Sequence, residues 1–148
     1  MSYREKSLLG SLVAILVIYG YYFATVLRNV GQPEFVVAGL GRLFLAVMAI
    51  IVIEIAYHII LALQDKPEPT DERDNLIEGK AYRNAYFALS TGAFLVIACV
   101  IAAGLAREAT PLPIVVTLFL MANLVLLFWV LAEVIKFATQ LLYYRRAV

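Results

Sequence analysis

Four apolar runs, at roughly 8–27, 36–63, 85–105 and 114–142, each supply about 20 residues or more, the length a helix needs to cross about 30 Å of hydrocarbon. Composition agrees with that reading. Of 148 residues, 64% are hydrophobic, and the mean hydropathy of +0.88 lies well above soluble usage. The expectation is an all-α, integral membrane four-helix bundle forming a single domain against the lipid bilayer. Arg4 and Lys6 ahead of the first run resemble the start of a signal peptide. The run continues through Tyr21, Tyr22 and Phe23 without a small-residue cleavage site, so it reads as a retained first helix.

One long polar run, QDKPEPTDERDNLIEGKAYRNAY from Gln64 to Tyr86, divides the chain into two hairpins. Pro67 and Pro69 end the second helix and its linker. Thr70 can cap the next helix, with Asp71 and Glu72 in a first turn where negative charge suits the helix dipole. No proline interrupts Asp71 to Leu105. One continuous helix there would be roughly 50 Å long. Gly79 is its weak point, at about 1 kcal/mol. The other connections, Arg28–Glu34 and Arg107–Pro113, are short and rich in turn residues.

Orientation follows the distribution of Lys and Arg. Arg4, Lys6, Lys66, Arg73, Lys80, Arg83, Arg145 and Arg146 belong to the termini and the segment 64–84, whereas the short connections offer Arg28, Arg42 and Arg107. Both termini and segment 64–84 are therefore expected on the cytoplasmic side of a cell (inner) membrane. Arg42, near the start of the second span, is expected to snorkel to the interface.

Sliding the chain by 79 residues superimposes the two hairpins. Arg28 falls on Arg107, Val36-Val37 on Val115-Val116, and Glu54 on Glu133. An internal duplication with parallel repeats about an axis along the membrane normal would explain the match.

Glu54 interrupts the apolar IVIEIAYHII, where a charge costs about 2.5–3.5 kcal/mol on insertion scales. It must face other helices and be paired or protonated. His58 lies one turn on, on the same face, with Tyr57 beside it. Glu133, Lys136 and Gln140 form a stripe on the last helix, and Arg83, Asn84, Ser90 and Thr91 enter from the third. A polar cluster at the cytoplasmic end of the bundle is expected. It can be a buried lock that fixes packing, a proton, ion or small-ligand site built on Glu54, His58, Glu133 and Lys136, or a metal centre of Glu54, His58 and Glu133. A single histidine and no second E-x-x-H motif argue against a di-iron bundle, and bis-histidine haem within one chain is excluded. No cofactor is predicted, and enzymatic activity has little support.

Other features invite plainer explanations. Asn123 should hydrogen-bond a neighbouring helix, and Tyr19, Tyr21 and Tyr22 should pack or mark the interface, with a lipid or quinone groove as the alternative. Gly39, Gly41, Gly92 and the Ala98/Ala102 pair offer surfaces for close helix approach. Cys99, the only cysteine, reads as a small packing residue. Asp71, Asp74 and Glu78 fall on one face with no Lys or Arg four residues on. Such a stripe needs basic company, either from Arg145, Arg146, Arg4 or Lys6 or from a basic partner. Net charge is +1, so direct nucleic-acid binding is not indicated.

The positions Asp71, Glu72, Arg73, Ile77, Lys80 and Ala81 resemble the D-E-R-x-x-x-I-x-x-K-A signature of a family of small four-span prokaryotic membrane proteins, often encoded beside a helix-turn-helix regulator. The likeness covers about a tenth of the chain. It implies a regulatory or docking role for Asp71, Glu72, Arg73, Asp74, Glu78 and Lys80, toward a cytoplasmic regulator or a larger membrane complex, and it brings no activity to carry over. Two functions are thus expected of this chain. One is a regulatory or accessory protein that docks a partner through 64–84. The other is a small oligomeric carrier, proton- or ion-linked, that uses the intramembrane carboxylates and His58.

Overall fold

The computed structural model describes residues 2–29, 32–65, 69–106 and 114–146. They form helices α1 (Tyr3–Asn29), α2 (Pro33–Gln64), α3 (Glu72–Leu105) and α4 (Ile114–Arg146). Each is long and apolar enough to cross a membrane, so the chain is an all-α, multi-pass four-helix bundle. Up-down-up-down order places both termini and the α2–α3 connection at one end, the terminal end, and the two short connections at the other, the hairpin end. Lys66 and Pro67, the Val30-Gly31 turn and residues 107–113, with the Arg107 that pairs with Arg28 in the repeat, lie outside the described residues.

Local chemistry sets the helix starts. Ser2 accepts from the Glu5 amide at 3.2 Å while Glu5 Oε2 accepts from the Ser2 amide at 2.9 Å, a reciprocal cap that begins α1. Pro33, whose missing N–H costs nothing in a first turn, begins α2. For α3 the expected Thr70 cap is displaced by one residue. Asp71 Oδ1 accepts from the Asp74 amide at 2.7 Å and Asp74 Oδ2 from the Asp71 amide at 2.9 Å. Two carboxylates outbid a hydroxyl because each both accepts from an amide and carries charge toward the positive helix end. Gly79 does not break the helix, which continues to Leu105 as expected.

Helix α1 lies between α2 and α4, and α3 packs along α4. Beneath the hairpin end, Tyr22 and Val26 of α1, Phe35 and Val36 of α2, and Val116 and Phe119 of α4 form the main apolar cluster. A second cluster of Ile15, Tyr19 and Val130 lies deeper in the bundle. Lipid tails are as apolar as these side chains, so packing and hydrogen bonds hold the helices together rather than water exclusion. Tyr22 donates to Asn123 Oδ1 at 2.7 Å, the interhelical bond expected of Asn123, whose own Nδ2 donates back to the Phe119 carbonyl at 2.9 Å.

Small residues set the α3–α4 seam. Ala81, Ala85 and Gly92 are buried on α3, and a Cβ at Gly92 would stand 2.2 Å from the Phe128 ring. Gly39 likewise lies under Phe119, and Gly10 under Tyr57. Gly41 faces open space, and Ala98 and Ala102 are exposed, so these expected approach surfaces are not used within the chain. Only 6% of the most apolar stretch of α3 is buried, against 19% to 28% in the other helices. The packing departs from a two-fold repeat for the same reason: α1 meets α4, but among the described residues no matching seam joins α2 to α3.

Candidate intramembrane carboxylate site

Glu54 sits about 15 Å from the terminal end of α2 and Glu133 about 20 Å from that of α4, at 1.5 Å per residue. Both line one cavity of about 330 Å³ bounded by α1, α2 and α4. Tyr19, Trp129 and Phe137 give it aromatic walls, and the Ile15–Val130 cluster lies on its inner side. The two carboxylates that the repeat placed at one depth thus meet across a shared space.

Their surroundings differ. Glu54 Oε2 accepts from Ser11 Oγ at 2.7 Å and lies 3.1 Å from His58 Nε2. Ser11 Oγ is also 3.3 Å from that nitrogen. With the serine proton directed to Glu54, the network is satisfied when His58 carries hydrogen on Nε2 and donates it. Glu54 Oε1 is buried and has no hydrogen-bond partner among the described residues. Glu133 is instead paired within its own helix to Lys136, whose ammonium also lies 4.6 Å from the Phe137 ring and 5.5 Å from that of Tyr82.

Ser11 is the residue that sequence reasoning missed. A lone serine in an apolar helix carries no signal until the α1–α2 packing shows which face it occupies. Other residues expected in the cluster lie elsewhere. Asn84 reaches Thr139 Oγ1 at 3.4 Å, Gln140 lines a separate polar cleft, and Arg83 and Thr91 are exposed. Among the described residues, no group of three His, Cys, Asp or Glu side chains is placed to hold a metal ion. The Glu54, His58 and Glu133 metal centre therefore has no geometry behind it.

The acidic stripe on α3 finds basic company within the chain, as the first of the two expected readings had it. Asp74 is buried. Its Oδ2 lies 2.8 Å from Arg4 Nη1, and Tyr144 donates to its Oδ1 at 2.7 Å. Burial alone would raise the Asp74 pKa, but hydrogen bonds from Asp71 and Tyr144 and the Arg4 charge outweigh it and hold the carboxyl below its ordinary 3.8. Asp71 is occupied by the cap, while Glu72, Arg73, Glu78 and Lys80 are exposed. The stripe is therefore not three free acids. Its basic company is Arg4, and Lys6 pairs instead with Asp65 at 2.5 Å.

The chain matches no protein-family model, no curated protein and no solved structure. The likeness carried by Asp71, Glu72, Arg73, Ile77, Lys80 and Ala81 thus rests on those residues alone.

Proposed function

We propose that this chain is a small proton-linked membrane carrier whose exchange site is the cavity shared by Glu54 and Glu133. Its substrate class is a small cationic solute. The reading rests on Glu54 Oε1, a buried carboxylate oxygen without a hydrogen-bond partner among the described residues, on a side chain that lines an intramembrane cavity.

The charge balance gives that oxygen its meaning. Lys136 matches Glu133, whereas the ion-pair partner of Glu54 among the described residues is His58, which is charged only when protonated. The site therefore has a place for one further positive charge. A proton can fill it, or a cation lodged against Tyr19, Trp129 and Phe137. Two occupants competing for one charge is the elementary requirement of exchange. The Lys and Arg distribution supports placing both termini on the cytoplasmic side of a cell membrane. The exposed face of α3 supports self-association, which a carrier of four spans needs.

The test is solute flux and internal acidity in proteoliposomes, with a small aromatic quaternary ammonium as the probe. Wild type should move protons against the probe, Glu54→Gln should abolish the coupling, and Glu133→Gln should weaken it. Flux unchanged in both variants rejects the reading. The alternative of docking to a cytoplasmic regulator or a larger membrane complex has less behind it. Glu72, Arg73, Glu78 and Lys80 are what remain exposed for a partner to recognise.

A further inference from the structure

A second feature lies on the α1–α2 seam and shares no lining residue with the carboxylate cavity. Two grooves, of about 520 and 560 Å³, have Val17 and Ile18 in common and so form one trench along the seam. Small side chains in its lining leave it room: Gly10 and Ala14 on α1, Ala46 and Ala49 on α2. Arg42 and Thr25 stand at its hairpin end and Lys6 at its terminal end. From Lys6 to Thr25 the helix advances about 28 Å, close to the hydrocarbon thickness of about 30 Å.

The two end charges are not equivalent. Lys6 is matched by Asp65 at 2.5 Å. Arg42 has no carboxylate partner among the described residues. Its guanidinium rests 4.6 Å over the Phe35 ring, which turns it toward the hairpin end as snorkelling requires. Tyr21, 79% exposed, belongs to the same wall. An apolar trench whose one unmatched charge is a cation needs an occupant with a hydrocarbon chain and an acidic head. A second copy of this chain fits poorly, since a two-fold axis through the seam would set Arg42 against Arg42.

We infer that the α1–α2 trench binds an anionic phospholipid, its acyl chain lying over Ala46 and Ala49 and its phosphate held by Arg42. This is the lipid-groove alternative for the α1 tyrosines, with Tyr21 and Tyr22 in the wall and Tyr19 outside it.

Native mass spectrometry of the delipidated protein in neutral detergent tests the inference. Phosphatidylglycerol and phosphatidylcholine of identical chains compete for the protein. Wild type should retain phosphatidylglycerol about five-fold more tightly, the scale of one arginine at a membrane surface. Arg42→Gln should erase that preference and Arg42→Lys should keep most of it. Ala49→Phe, which fills the trench, should lower retention of both lipids. Equal retention of the two lipids by wild type overturns the proposal without recourse to any variant. A preference that survives Arg42→Gln overturns it too.

Discussion

The Arg4 guanidinium lies 2.8 Å from the Asp74 carboxylate and so joins the first turn of α1 to the first turn of α3. Tyr144 from the end of α4 donates to the same carboxylate, which makes Asp74 the meeting point of three helices. Asp74→Ala removes the carboxylate that Arg4 and Tyr144 both meet, and half of the α3 cap. A loss of about 2–3 kcal/mol is expected, read as a lower unfolding midpoint in detergent. Glu78→Ala, on the same face but exposed, should change little.

Acid should weaken the same junction. The folded Asp74 pKa is depressed, so its contribution is fully present above the unfolded carboxyl value of about 3.9 and fades as pH falls through the lower folded value. Thermal unfolding between about pH 5 and pH 2 should show a steeper acid limb in wild type than in Asp74→Asn. Equal limbs would remove Asp74 from the account of acid sensitivity.

Tyr22→Phe deletes the hydroxyl that serves Asn123 Oδ1 and should cost about 1 kcal/mol, within the range of interhelical bonds in membranes. A double-mutant cycle with Asn123→Leu isolates the pair. Independent, additive effects would mean that the bond contributes nothing.

Glycines divide into two groups with opposite expected signs. Gly92→Ala drives a methyl into Phe128 and should destabilise by about 1–3 kcal/mol. Gly79→Ala meets open space within a helix and should stabilise by about 0.5–1 kcal/mol. Unfolding midpoints of the two variants should move in opposite directions.

Cys99 provides a native probe of self-association, since it is exposed on the least buried helix. Mild copper-catalysed oxidation in membranes should yield a disulfide-linked dimer on non-reducing gels. Replacing the neighbouring Ala98 and Ala102 with Leu should reduce it. A chain that stays monomeric under oxidation would argue against α3 as the contact face.

What could be read from the chain beforehand followed from lengths and from neighbours on one helix. The spans announce themselves by hydrocarbon length, α3 by its lack of proline, and the Glu54–His58 pair by its spacing of four. Which residues meet between helices was legible only in kind: Asn123 called for an interhelical bond, but nothing in the chain named Tyr22 as its donor. The need of the Asp71, Asp74 and Glu78 stripe for basic company was legible, but spacing rules consult only the helix on which a charge sits and could not choose Arg4 over Lys6, Arg145 or Arg146. Ser11 was invisible for the same reason. The S-x-x-E cap at Ser2 and Glu5 was legible and passed unread. The repeat singled out Glu54 and Glu133 as a pair, and one cavity is lined by both. It did not anticipate that, among the described residues, α3 would pack chiefly along α4, because apolar spans facing lipid and apolar spans facing a neighbour are spelled alike.

Both acids of the cavity reach the bilayer with company drawn from their own hairpin. Ser11 and His58 travel with Glu54 in the first pair of helices, and Lys136 travels with Glu133 on a single turn of α4. Neither hairpin therefore has to wait for the other before leaving the insertion machinery, and the ribosome can deliver them in succession. Docking of α4 onto α1 then brings together two carboxylates that each already carry polar partners from their own hairpin.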